Sequence, residues 1–283
     1  LHLCDRRQRQ MCIRDRRKKY DTIFRSREFQ TSYGKTITIE GGDYGWWMNY
    51  SQEQEQLKEM IRNGESGERI PVYYQTAAVY GSQDYGNTYI EINLTAQHLF
   101  LYVNGEKKME SEFVSGNAAR GFDTPAGIYG ITYKEQDAML VGENYETPVS
   151  YWMPFNGNIG LHDAIWRDSF GADIYKKSGS HGCINMPYLK AKELYGEIAK
   201  GTPVICYYLD GTESEQTIGQ PDAEKAQAVV DSIAKIGTVT KDSKKKIERA
   251  RQLYNDASAE QREYVTNYEV LTAAEEAYQS LKK

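Results

Sequence analysis

Tyr89-Ile90-Glu91-Ile92-Asn93-Leu94, followed by Leu99-Phe100-Leu101-Tyr102-Val103 and then Asn104-Gly105, is the stretch that decides the fold class. Apolar and polar residues alternate with the period of two that sends successive side chains to opposite faces of a strand. Asn-Gly after such a segment marks a hairpin, because a tight type I′ turn needs positive φ at both central residues. The returning arm is expected at Glu112-Phe113-Val114-Ser115, after Lys107 and Lys108. Further strand-like pieces lie at 127–132, 149–152 and 203–208. One helix is expected over 187–200, with Pro187 near its first turn and Gly201 as its stop. Residues 76–209 therefore read as a mainly β domain with one or two helices.

Both flanks differ from this pattern. Residues 19–75 read as the C-terminal part of an α+β domain, with a strand at Thr36-Ile37-Thr38-Ile39 and a turn at Gly41-Gly42-Asp43-Tyr44-Gly45. Ser51 with Gln54 reads as a capping box ahead of Leu57, Met60 and Ile61, and Gly64 as the end of that helix. So short a piece is not expected to fold alone. Residues 210–221 read as a polar linker. From 222 to 283 the chain reads as a small all-α bundle, with Ala226, Val229, Val230, Ile233 and Ile236 at helical steps, as are Ile247, Ala250, Leu253 and Tyr254. Ser258 with Gln261 and Thr272 with Glu275 look like capping boxes. Eleven acidic and eleven basic residues from Asp222 onward make this a neutral accessory module without a catalytic cluster.

Composition narrows the function classes. A length of 283 residues fits two or three compact units, and 40% hydrophobic with 27% charged residues is ordinary for globular chains. The 23 tyrosines suit a surface that binds sugars or peptides, or half-buried packing. No run of about 18 apolar residues offers a transmembrane helix. The net charge is −5 although residues 1–19 alone carry +6, so the remainder stands at −11, which argues against nucleic acid as a partner. The stretch LHLCDRRQRQMCIRDR at 1–16 has no structural period and resembles translated sequencing-adapter sequence. Residues 1–18 are accordingly expected to be non-native or disordered, and the chain to be a fragment whose export signal lies outside it. Setting Cys4 and Cys12 aside leaves Cys183 and Cys206, too few for a disulfide framework. Cys206, inside the apolar run Pro203-Val204-Ile205-Cys206-Tyr207-Tyr208, is expected to be a small buried hydrophobe.

The chemistry concentrates in Ser180-His181-Gly182-Cys183-Ile184-Asn185. Acyl transfer by cysteine needs a thiolate, a proton acceptor and donors for the oxyanion. Cys183 is the candidate nucleophile, and His162, in Ile159-Gly160-Leu161-His162-Asp163, the candidate base. An imidazolium–thiolate pair between them would lower the cysteine pKa. Asp163, by side chain or backbone carbonyl, is the group placed to orient the ring. Gly182 gives the backbone freedom to aim consecutive N–H groups at one oxygen, His181 offers a further donor, and Ser180 and Asn185 can fix the loop or bind substrate amides. Alone, Cys183 could be a buried hydrophobe and His162 a core histidine; together in this pattern they point to catalysis. Zinc would be a ligand short, since His98 and Cys206 are wrongly spaced, and no metal is expected. In papain-like proteases the cysteine precedes the histidine, the reverse of the order here.

These residues resemble the YkuD-type L,D-transpeptidase catalytic domain, whose Thr-Pro-x-Gly-x-Tyr segment is similar to Thr124-Pro125-Ala126-Gly127-Ile128-Tyr129. Residues 19–75 resemble the end of the peptidoglycan-binding domain that precedes it in some Gram-positive members. The C-terminal bundle resembles helical repeats of Gram-positive surface proteins. The resemblance implies a β-sandwich-like domain with the cysteine loop at one end of a cleft. It implies a tetrapeptide-stem donor, loss of D-Ala to form a thioester on Cys183, and attack by the side-chain amine of a neighbouring stem to give a 3-3 cross-link. It implies no metal or organic cofactor, acylation by carbapenem-type inhibitors, and a place at the extracellular face of the envelope, in the cell wall, with any membrane anchor in the missing N-terminal part. Tyr129, Trp152, Met153, Phe155 and Trp166 are the aromatic or soft residues near the motifs expected to line the donor cleft. The rival readings are an L,D-carboxypeptidase, in which water resolves the thioester, and a catalytically inactive wall-binding surface protein.

Overall fold

The computed structural model describes residues 21–142 and 145–281, and the expectation for residues 1–18 falls outside them. The chain opens with an antiparallel pair, β1 (Arg27–Gln30) and β2 (Thr36–Ile39), then β3 (Trp47–Met48), α1 (Tyr50–Asn63) and β4 (Tyr73–Gln75), which pairs with β3. The helix is capped by Asn49, whose side chain accepts from the Gln52 N–H, and not by Ser51; Gly64 ends it at φ 67°, as its position predicted. This N-terminal piece is tied to the rest of the chain. Arg27 lies buried against Asp84 at 2.7 Å, its remaining N–H groups donating to the carbonyls of Thr22, Arg25 and Tyr44. Buried Glu91 accepts from the Ser32 N–H and hydroxyl and from the Tyr207 hydroxyl. Phe29, Ile39 and Tyr44 share a core with Ile128, Ile205 and Tyr207, so the piece packs on one face of the central sheet.

That sheet contains β5 (Tyr89–Asn93), β6 (His98–Val103), β7 (Glu106–Glu112), β8 (Gly127–Gly130) and β14 (Pro203–Tyr207), in the order β7-β6-β5-β14-β8. The returning arm begins immediately after Asn104-Gly105, so it is Glu106–Glu112 and not 112–115; Phe113 to Ser115 leave the sheet, and Val114 bridges Asn185. A second sheet has the order β13-β11-β10-β9, from β9 (Glu135–Gly142), β10 (Tyr145–Asn156), β11 (Ile159–Asp163) and β13 (Ile184–Met186). Between its last strands come β12 (Ser169–Gly171) and α2 (Ile174–Ser178), and after it α3 (Tyr188–Glu197). Ile90, Ile92, Leu99 and Leu101 of the first sheet face Met153, Phe155, Leu161, Ile184 and Met186 of the second, with Leu194 of α3 closing the core. Each such side chain contributes roughly 1.5–3 kcal/mol relative to exposure. Cys206 is buried in this core.

The segment expected to be a plain linker contributes a strand, β15 (Thr217–Gly219), paired with β12. Four helices come after it: α4 (Asp222–Ala234), α5 (Lys244–Asp256), α6 (Ala259–Glu263) and α7 (Tyr268–Leu281). Ser258 and Gln261 form the expected capping box, whereas Thr272 and Glu275 lie within α7. Of the residues its periodicity marks, Ala226, Val229, Ile233, Ile236, Ile247, Ala250 and Leu253 form the bundle core and Val230 and Tyr254 pack half-buried against it, while Val265, Leu271 and Ala274 are added. Ile165 packs against both this core and the one between the sheets, and Asp231 of α4 accepts from the Tyr188 hydroxyl and Lys192. No helix among the described residues is long and apolar enough to cross a membrane.

Candidate active site

β11 and β13 run parallel, with His162 opposite Asn185. Cys183 lies in the loop just before β13 and lines one cleft with His162 and Asn185. The loop that delivers Cys183 is held by short bonds. Thr124 Oγ1 donates to the Gly182 carbonyl at 2.7 Å and accepts from the Gly116 N–H at 3.1 Å. Ser180 Oγ donates to the Cys183 carbonyl at 2.6 Å and accepts from the Gly182 N–H at 3.0 Å. Gly182 takes φ 114°, and a Cβ there would crowd Ile159 at 3.1 Å, so only glycine carries the chain through this turn. Because the Gly182 N–H is engaged by Ser180, it is not a free oxyanion donor as expected. The Cys183 N–H makes no hydrogen bond among the described residues, which leaves it as the backbone donor beside the sulfur.

The buried His162 ring has its tautomer fixed by its neighbours. Nδ1 lies 2.9 Å from the Asp163 carbonyl oxygen, an acceptor only, so Nδ1 carries the proton. Asn185 Oδ1 accepts from Arg167 Nε at 2.8 Å, which turns Asn185 Nδ2 toward His162 Nε2 at 3.0 Å. Nε2 is therefore unprotonated, as a base requires. Arg167 also donates from Nη1 to the Ser178 carbonyl at 2.9 Å. Of the two orienting roles open to Asp163, the backbone carbonyl performs it; the carboxylate instead accepts from the N–H groups of Ser150 and Tyr151, both at 2.8 Å. Trp152 and Trp166 flank the imidazole, with centroids 5.8 and 5.9 Å away.

Burial sets the protonation states. It pushes His162 down to about 4, with the Arg167 charge adding and the Asp163 carbonyl opposing. It pushes the Asp163 carboxyl up to about 6 against the two backbone N–H groups, and the Cys183 thiol up to about 11. The Cys183 thiol donates to the Asn158 carbonyl at 3.6 Å, not to His162. The expected imidazolium–thiolate pair is thus not the resting state: at neutral pH a thiol and a neutral imidazole line one cleft.

A cleft of about 290 Å³ brings together His162, Cys183, Asn185, Ser180, His181 and Trp166, with Arg167, Leu140 and Thr147 on its walls. A larger cavity of about 830 Å³, walled by Arg25, Tyr73 and Tyr80, contains none of these groups. His181 is exposed, its ring 4.8 Å from that of Phe122. Tyr129, Met153 and Phe155 do not line the cleft as expected. They lie in the core between the sheets, because strand alternation turns 153 and 155 inward and Tyr129 bonds the Ala126 carbonyl. Trp152 stands behind the site, packed against Cys183 and bonded to the Tyr133 hydroxyl at 3.2 Å. Sequence reasoning missed Arg167 and the loop-holding role of Thr124, although Thr124 begins a motif it quoted. Among the described residues no group of three or more His, Cys, Asp or Glu is placed to hold a metal ion.

The family model described as YkuD, L,D-transpeptidase catalytic domain, matches residues 87–206. Among solved structures the chain is similar to a cysteine-to-serine mutant of Enterococcus faecium L,D-transpeptidase, at 36% identity and TM-score 0.61, over 71% of this chain and 82% of that one. It is similar also to the Ldtfm–avibactam carbamoyl enzyme, at 36% identity and TM-score 0.61, over 71% of this chain and 80% of that one. No curated protein matches. The mainly β fold, the cysteine and histidine in one cleft and these likenesses agree: the chain belongs to the L,D-transpeptidase family of acyl-transfer enzymes.

Proposed function

We propose that this chain is a peptidoglycan L,D-transpeptidase that makes 3-3 cross-links through a thioester on Cys183. The observation that carries the reading is the single cleft lined by Cys183, His162 and Asn185, with the His162 tautomer already set for proton acceptance. As a tetrapeptide stem enters, His162 Nε2 exchanges its bond from Asn185 Nδ2 to the thiol and takes the proton while sulfur attacks the carbonyl of the third stem residue. The oxyanion forms near the Cys183 N–H, with His181 as a second donor. The imidazolium returns the proton to the departing D-Ala amine, leaving a thioester. The side-chain amine of another stem then attacks, His162 accepts its proton, and the thiolate of Cys183 leaves and is reprotonated. Two neutral resting partners mean that charge develops only with substrate in place, when the cleft is closed to water.

Residues 19–75 are proposed as the end of a peptidoglycan-binding domain, 76–209 as the catalytic domain and 222–283 as an accessory module, with the protein working at the cell wall outside the membrane. Ldtfm forms a carbamoyl enzyme with avibactam, and carbapenem-type inhibitors are proposed to acylate Cys183 here. Incubation with disaccharide-tetrapeptide, read by mass, tests the function. Dimers lacking one D-Ala support it, tripeptide alone indicates an L,D-carboxypeptidase, and no D-Ala release indicates an inactive wall-binding protein.

A further inference from the structure

A second cavity, also of about 290 Å³, lies between the catalytic sheet and the C-terminal helices. One wall is Thr147 and Pro148 of β10 with Trp166; the other is Val229 of α4, Leu253 and Asp256 of α5, and Ala257. Thr147 and Trp166 also wall the catalytic cleft, so the two spaces adjoin. Trp166 is 48% exposed, and its ring lies 5.9 Å from that of His162. The opening is therefore on the flank of the base. Cys183 lines the adjoining cleft with its thiol bonded to the Asn158 carbonyl, beside the cluster of Ala138, Val149 and Trp152.

The geometry points to this cavity as the subsite for the acceptor stem, so that the C-terminal helices take part in choosing the nucleophile that resolves the thioester. This rests on the transpeptidase reading. An incoming amine must reach the acyl carbon beside the group that accepts its proton, and the cavity joins the cleft on that side. Its chemistry suits a peptide carrying an ammonium group. The Lys225 ammonium on its wall is taken up by Asp168 at 2.5 Å, while Asp256 presents a carboxylate. Apolar Val229, Leu253 and the Trp166 ring offer contacts for the aliphatic part of the chain. The helices are firmly seated: Ile165 is packed against both cores, Lys235 pairs with Asp137 at 3.1 Å, and Asp231 of α4 accepts from Tyr188 and Lys192.

The test is the fate of one acyl-enzyme. The full chain is given disaccharide-tetrapeptide donor and an isotope-labelled disaccharide-tripeptide acceptor, and the ratio of labelled dimer to hydrolysed tripeptide is measured against acceptor concentration. Both products arise from the same thioester, so the ratio does not depend on how much of a variant is folded. Asp256→Lys and Ala257→Trp should each lower the ratio about tenfold at subsaturating acceptor and raise the half-saturating concentration correspondingly, while Asp256→Glu stays within about twofold of the parent. Unchanged ratios in Asp256→Lys and Ala257→Trp overturn the subsite alone. A parent chain that releases D-Ala but forms no dimer overturns the transpeptidase reading and the subsite with it.

Discussion

Replacing His162 by Ala separates a resting ion pair from a base recruited only by substrate. The Cys183 thiol is pushed up to about 11 by burial and bonds the Asn158 carbonyl, while His162, pushed down to about 4, is bonded to Asp163 and Asn185. Alkylation by iodoacetamide tracks the thiolate fraction. At pH 7 a thiol of pKa about 11 is ionised in about one molecule in ten thousand, against about 3% for a free cysteine of pKa ~8.5. Cys183 should therefore react about 300-fold more slowly at pH 7 than a cysteine peptide, with a rate rising tenfold per pH unit through pH 9. Because His162 makes no bond to sulfur at rest, His162→Ala should leave this profile within about twofold. Acylation by the tetrapeptide donor should nonetheless fall by about 10²–10⁴ with the loss of the base. A rate plateau at neutral pH in the parent, or a tenfold fall in alkylation on removing His162, would show a preformed thiolate and refute a base recruited by substrate.

Cys183→Ala should abolish acyl-enzyme formation with unaltered circular dichroism, and the carbapenem mass shift in the parent should map to Cys183; a label on buried Cys206 contradicts the site. Arg167→Ala frees Asn185 to turn its amide, so kcat/KM should fall about tenfold, and Arg167→Lys should not restore it, since an ammonium lacks the fork that spans Asn185 and Ser178. Thr124→Val leaves the buried Gly116 N–H without its partner and should cost about 1–3 kcal/mol in urea denaturation; an unchanged midpoint would contradict the role of Thr124. Asp163, raised from 3.8 to about 6, contributes stability that is fully present below pH 4 and lost as pH rises through 6. His162, lowered from 6.5 to about 4, contributes stability present above pH 6.5 and lost as pH falls toward 4. The two slopes oppose each other between pH 4 and 6, so Asp163→Asn should make the chain lose stability more steeply on acidification than the parent, as read from denaturation midpoints across that range.

The hairpin at Asn104-Gly105 was legible because local alternation and turn chemistry agree there, and only the start of its returning arm was misplaced, since Glu106 to Glu112 is too polar to show a pattern. The β9–β10 ribbon was largely hidden: Pro148 and Pro154 argue against a strand in sequence, yet both sit within β10, the second beside a bulge. Cys183 and His162 stood out through their immediate neighbours. Arg167 did not, because its function arises from contact with Asn185, 18 residues away, and no periodicity marks it. Tyr129, Met153 and Phe155 lie near the motifs in sequence but on the inward face of their strands. Nothing in the residue pattern foretold the neutral resting state, which comes from burial of both partners.

β8 is the last strand of its sheet, and the turn at 41–44 meets it: the Ile128 N–H donates to the Gly41 carbonyl at 3.2 Å, and the Tyr44 N–H to the Ile128 carbonyl at 3.0 Å. The approach is so close that a Cβ on Gly42 would lie 2.0 Å from the Ile128 oxygen. An open strand edge is a template for pairing with another chain. The N-terminal piece therefore acts as a guard against edge-to-edge aggregation. A catalytic domain excised without it would keep its cleft and nucleophile, and its weakness would be colloidal before it was chemical.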